Sequence, residues 1–262
     1  MSTLTLAARD CSTMLRRNLL HARRYPSMTL NLLLTPVMML LLFVYIFGNA
    51  MSAGLGGGGG RAAYVDYLVP GLLVMTIGST VIGAAVSVSM DMTQGLVSRF
   101  RTMPIYRGSL LVGHVLGTVL QVLASVVVVG GIALAIGFRT HGATALDWLG
   151  GLGLLALFAL ALTWIAVGMG LASPTPEAAS NMAMPLIILP LISSAFIPAH
   201  TMPGWFQPIA EYQPFTPTIE TLRGLLLGSH IGNNGWIALA WCLALTALGY
   251  RWSMAQFKRA PK

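Results

Sequence analysis

Carboxylates are scarce in this chain: Asp10, Asp66, Asp91, Asp147, Glu177, Glu211 and Glu220 are all it has, against fifteen Lys and Arg. Charged residues of both signs make up 8% of it, well below the roughly 25% usual for a soluble domain, and a water-soluble surface is thereby excluded. Cysteine is nearly missing as well. Cys11 and Cys242 fall in a predicted cytoplasmic helix and in the last apolar stretch, so no disulfide framework is implied. The histidines, His21, His114, His141, His200 and His230, are scattered, and none stands four residues from another as a helical metal site needs. No Ser or Cys stands in a nucleophile motif, and no pair of carboxylates falls inside an apolar stretch as a proton relay favours. If the chain moves a solute uphill, the energy is then expected to enter from outside it. Gly56 to Gly60 is followed by Arg61-Ala62-Ala63. A phosphate-binding loop needs a Lys-Ser/Thr there, so the run reads as a flexible external linker.

Long apolar runs are what the chain has instead. Its charges leave six charge-free stretches of more than twenty residues: Tyr25 to Gly60, Tyr67 to Met90, Gly108 to Phe138, Trp148 to Pro176, Ala178 to Ala210 and Gly224 to Tyr250. Each holds the ~20 apolar residues with which a helix, rising about 1.5 Å per residue, crosses a ~30 Å hydrocarbon core. The expected fold is all-α and integral to the membrane. It is one domain over residues 1–262, with six spans at about 28–48, 66–90, 109–137, 147–171, 181–197 and 235–251. The run from Met28 to Gly48, behind a long polar lead, exceeds the roughly 7 to 15 apolar residues of a cleaved signal peptide and reads as a retained span. With the N-terminus inside, twelve of the fifteen Lys and Arg face the cytoplasm and Arg61, Arg139 and Arg223 face out. That bias places both termini in the cytoplasm and accounts for the basic net charge without nucleic acid.

Four segments stand apart. Residues 4–24 place Leu4, Ala8, Cys11, Leu15 and Leu19 on one face and arginines on another, with Arg16, Arg17, Arg23 and Arg24 near its end. This is an amphipathic helix expected to lie in the cytoplasmic interface, in contact with membrane lipid. Residues 91–107 join spans two and three and gather Asp91, Arg99, Arg101 and Arg107 around Phe100 and Pro104. A basic helix with an aromatic knob fits a groove on a soluble partner, and equally an interfacial loop that sets topology. Pro185 and Pro190 are expected to break the fifth span. Residues 198–234, with Pro198, Pro203, Pro208, Pro214 and Pro217 and four aromatic residues, are too apolar for an exposed loop and are expected to form short helices dipping back into the outer leaflet. Ser79, Gly83 and Ser87, with Gly113 and Gly117, speak for tight packing of spans two and three.

The run from Asp91 to Arg107, DMTQGLVSRFRTMPIYR, resembles the D-x-x-x-G-x-x-x-R-x-R-x-M-P-I-x-R segment of ABC-2 type permeases, particularly their daunorubicin-resistance branch. Met202-Pro203-Gly204-Trp205, Gln213-Pro214-Phe215-Thr216-Pro217 and Leu222-Arg223-Gly224-Leu225 look like that family's external segment, and Pro174-Thr175-Pro176-Glu177 like its fourth-to-fifth connection. Thr93 and Gln94 are neutral where the family often carries charge. The resemblance implies a type V ABC exporter-like membrane subunit in the bacterial inner membrane. It would pair with a second permease copy and with two ATP-binding subunits that carry ATP and Mg, because this chain has no G-x-x-x-x-G-K-[ST] motif and binds no cofactor itself. It implies further that residues 91–107 act as the coupling helix, with Asp91, Arg99, Phe100, Arg101, Pro104, Arg107 and Glu177 toward the ATPase.

The expected cargo is a hydrophobic drug, antibiotic or lipid-like molecule, since no charged pocket suggests a sugar polymer. Met38, Met39, Phe43, Phe47 and Met75 offer an adjustable apolar path, although in spans this rich in Met and Leu such residues also simply face lipid. Glu211, Glu220 and Arg223 are candidates for an external gate. An ion-coupled carrier, a channel and a polysaccharide or glycolipid exporter are the alternative readings.

Overall fold

The computed structural model describes residues 26–48, 60–93, 109–140 and 142–259, and among these all regular structure is helical. The order is α1 (Pro26–Leu42), a π-helical turn (Phe43–Phe47), α2 (Gly60–Thr93), α3 (Ser109–Ile136), α4 (Ala145–Ala172), α5 (Pro176–Ala183), α6 (Pro185–Leu191), a 3-10 turn (Ala199–Thr201), α7 (Gln207–Tyr212), α8 (Phe215–Leu227) and α9 (Asn234–Arg259). The interfacial helix expected at 4–24, the glycine linker up to Gly59 and most of the coupling segment lie outside the described residues, while Gly60 already belongs to α2.

Four of these helices, α2, α3, α4 and α9, are long and apolar enough to cross a membrane. The first and fifth expected spans are built differently. Pro36 sits inside α1 without ending it, and the departure from α-helical winding comes later, at Phe43–Phe47. The fifth span is two short pieces, α5 and α6, divided at Met184 because Pro185 has no N–H to continue the ladder. Pro190 lies within α6, and after Leu191 the chain turns instead of winding on to Ile197.

α2 is the axis of the bundle. It begins at Gly60, six residues ahead of the expected Asp66, because Arg61 and Asp66 end the apolar run without ending the hydrogen-bond ladder. Arg61 stacks over the Tyr45 ring at 4.0 Å, and Asp66 accepts the backbone N–H of Arg139 at 2.9 Å. From there Tyr64, Leu68, Leu72, Met75 and Ile77 are buried against Phe158 and Leu162 of α4 and Phe215, Ile219 and Leu222 of α8. Phe158 meets Phe215 edge to face with centroids 5.1 Å apart, a favoured aromatic geometry. Four buried threonine hydroxyls along these helices turn back onto their own ladders: Thr76 donates to the Leu72 carbonyl, Thr80 to Thr76, Thr163 to Ala159 and Thr221 to Pro217. In an apolar surrounding this leaves each hydroxyl satisfied without a partner on another helix.

Glycine sets how closely the helices approach. A Cβ on Gly71 would meet Ala195 backbone, one on Gly78 the Leu186 carbonyl, and one on Gly170 the Ala85 carbonyl. On α9, a Cβ at Gly249 would strike the backbone of Ile165 and Trp164. Gly83, in the stripe singled out from the sequence, has nothing within 4 Å.

The α3–α4 turn uses Gly137 and Gly142 at positive φ, 125° and 77°, where a side chain would be strained. Thr144 then caps α4: its Oγ1 accepts from the Asp147 N–H at 3.4 Å while the Asp147 carboxylate accepts the Thr144 N–H at 2.8 Å. Thr144→Ala is expected to cost about 1 kcal/mol, read as faster amide exchange confined to the first turn of α4.

Candidate functional site

α8 presents Phe215, Ile219, Leu222 and Leu226 along one buried face, and Arg223 beside them is carried inward to 6% exposure. A guanidinium in an apolar bundle must be met by acceptors. Its Nη1 donates to Glu220 Oε1 at 2.6 Å, one turn back, and Nη2 donates to the carbonyls of Tyr67 at 3.0 Å and Ser194 at 3.2 Å. The Arg223 guanidinium also lies 3.8 Å from the centre of the Tyr67 ring. Ser194 follows the broken α5–α6 pair, where its carbonyl has no helical donor. The Tyr67 hydroxyl supplies a second bond to it at 2.8 Å, and the Ser194 N–H reaches Thr216 Oγ1 at 3.2 Å. One cation thus knots α2, the turn after α6 and α8.

The other end of α2 holds a second polar contact. Tyr67 and Asp91 are 24 residues apart on this helix, ~36 Å at about 1.5 Å per residue. There Asp91 Oδ2 lies 2.8 Å from Nε2 of His114 on α3, with side chains 17% and 8% exposed. Beneath them Val88, Leu111, Val115, Trp164, Val167 and Phe257 form a separate buried cluster joining α2, α3, α4 and α9. Ser253 of α9 donates to the Trp164 carbonyl at 2.9 Å and holds that end of α9 against α4.

Residues 9–227 match the ABC-2 type transporter family. The chain belongs to that family. It is 28% identical over 219 residues to a daunorubicin resistance ABC transporter permease protein of Streptomyces coeruleorubidus, covering 83% of this chain and 75% of the relative. It is also 23% identical over 208 residues to a probable doxorubicin resistance ABC transporter permease protein of Mycobacterium tuberculosis, covering 73% of this chain and 74% of that one.

On this ABC-2 chain the sequence-derived site residues fall in several places. Arg16, Arg17, Arg23 and Arg24 lie outside the described residues, as do Arg99, Phe100, Arg101, Pro104 and Arg107. Asp91 is described and pairs with His114. Glu177 is exposed in the first turn of α5, behind Thr175, whose Oγ1 accepts the Ala178 N–H at 3.2 Å. Of the three residues expected to form an external gate, Glu220 and Arg223 come together, whereas Glu211 accepts from its own helix neighbour Gln207 at 2.7 Å. Met38 is exposed, Met39 packs against the core, and Met75 is buried at 3% exposure. Phe43 lies on Phe196 with centroids 4.4 Å apart, and Phe47 closes the π-helical turn. Sequence reasoning passed over Tyr67, Ser194 and His114. A lone arginine in an apolar helix does signal that it needs more acceptors than one partly exposed glutamate, but not which residues supply them.

Proposed function

We propose that this chain is the membrane-spanning permease subunit of an ATP-driven ABC exporter, moving a hydrophobic drug, antibiotic or lipid-like molecule out of the cytoplasm or inner leaflet. The observation that carries this reading is the family match over residues 9–227, with drug-resistance permeases among its relatives. Two copies of a separate ATP-binding subunit, loaded with ATP and Mg, energise it, and a second permease copy completes it. The helical bundle supplies six crossings of the bacterial inner membrane: four by the long helices and two by α1 and the broken α5–α6 pair. Both termini are cytoplasmic, in keeping with the lysines and arginines concentrated on that side. The Asp91 end of the bundle then faces the ATP-binding subunits, with residues 91–107 as the coupling segment and Glu177 on the same side. The Glu220–Arg223 knot faces outward as a gate element, and residues 198–234 form the re-entrant cap. Met38, Met39, Phe43, Phe47 and Met75 supply the apolar path.

The test is co-expression with an ABC ATP-binding subunit from the same genome, followed by purification of the complex. The subunit is expected to co-purify with the wild type. Phe100→Ala with Arg101→Glu removes the anchor and reverses one charge, and is expected to weaken assembly on the order of tenfold or more, or to leave ATP hydrolysis uncoupled. If no ATP-binding subunit associates with the wild-type chain, the exporter reading loses its energy source.

A further inference from the structure

We infer that His114 is a positioning residue for transport: with Asp91 it fastens the two helices flanking residues 94–108 into one lever. The inference rests on the function proposed above. Its carrying observation is the 2.8 Å contact between His114 Nε2 and Asp91 Oδ2, made across 23 residues of sequence between the last turn of α2 and the second turn of α3. An ionised carboxylate has only acceptor sites, so the imidazole donates, and a bond to a charged acceptor is about twice as strong as a neutral one. Both side chains are largely removed from solvent and lie over the apolar cluster of Val88, Leu111, Val115 and Phe257. Water therefore competes weakly for the bond.

The mechanical consequence follows from where the bond lies. The covalent link between α2 and α3 at this end is the 94–108 connection itself. The stems also pack through Val88, Leu111 and Val115, and the His114–Asp91 bond adds the directional tie that keeps a force on that connection from splaying them. At the far end of the same hairpin, Asp66 accepts the Arg139 N–H and ties α2 to the turn after α3. With a bond at each end, α2 and α3 tilt as a rigid pair, which is what conversion of a local push into a change of access requires.

The experiment reads the lever directly and needs no transported substrate. Met90 and Leu116, both exposed and one on each stem, are replaced by cysteine in a chain with Cys11→Ala and Cys242→Ala, then spin-labelled. The label-to-label distance is measured in the complex with the ATP-binding subunit, without nucleotide and with ATP, Mg and vanadate. In the wild type the distance is expected to be the same in both states. His114→Ala is expected to assemble equally well, yet to roughly double the width of the distribution when nucleotide is trapped. The exchange Asp91→His with His114→Asp is expected to restore the narrow distance. If His114→Ala stays narrow in both states, the lever is overturned while the exporter reading stands. If it widens and the exchange does not restore it, the effect is packing and the pairing is overturned. If no ATP-binding subunit associates with the wild type, both readings fall together.

Discussion

Arg223→Ala is expected to be the most damaging single truncation at the Tyr67 end of the bundle. It removes donors from the Tyr67 and Ser194 carbonyls, leaves Glu220 without its cation, and opens a void over the Tyr67 ring. Hydrogen bonds made by a charged group are worth about 1.5–3 kcal/mol each, so a drop of on the order of 10 °C in the unfolding midpoint is expected for a chain of this size. Arg223→Lys keeps the charge but not the fork. A single ammonium cannot reach Glu220 and both carbonyls in the same geometry, and about half the loss should remain. Glu220→Gln should cost far less, about 1 kcal/mol or under, because Glu220 is 31% exposed and water replaces its partner. Fluorescence-detected gel filtration after a heating series gives the order. A wild-type midpoint for Arg223→Ala would show that the knot is not structural.

How far each feature was legible follows from what kind of signal it leaves. The long helices α2, α3, α4 and α9 coincide with apolar runs, because a helix long and apolar enough to cross a membrane is marked by hydropathy alone. Their ends were less legible. α2 continues from Asp66 back to Gly60 on hydrogen bonds and side-chain contacts that hydropathy does not register. The break at Pro185 was legible from chemistry alone, whereas the turn after Leu191 depends on where α8 docks. The Glu220–Arg223 pair, three residues apart on one helix, could be read in advance. Its other acceptors are carbonyls of Tyr67 and Ser194, and every residue has a carbonyl, so no residue type points to them. His114 was read as one of several scattered histidines, since its pairing depends on the register of α3 against α2. Register emerges from packing and has no counterpart in local pattern.

Packing also decides which of two small-residue rows on α2 matters, and the second large effect follows from that choice. Ser79, Gly83 and Ser87 recur every fourth residue; Gly71, Gly78 and Ala85 recur every seventh, two turns apart and so nearly on one face. The sequence carries both rows equally. In the bundle the second row is the seam. Gly71 lies against Ala195, Gly78 against the Leu186 carbonyl and Ala85 against Gly170 of α4, while Gly83 faces open space. A methyl group at Gly78 or Gly170 would press on a backbone carbonyl, which cannot swing aside as a side-chain tip can. Gly78→Ala and Gly170→Ala are therefore each expected to cost about 2–3 kcal/mol, because α2 must withdraw along the seam and lose contacts on both sides. Gly83→Ala, by contrast, adds a better helix former where nothing is in the way, and is expected to be neutral or to gain up to about 1 kcal/mol. The three alanine variants differ in one methyl group each, so the comparison isolates position from chemistry. Thermal midpoints measured side by side in one detergent decide it. A loss at Gly83 equal to that at Gly78 would mean that the row of every fourth residue, and not the row of every seventh, is where α2 is gripped.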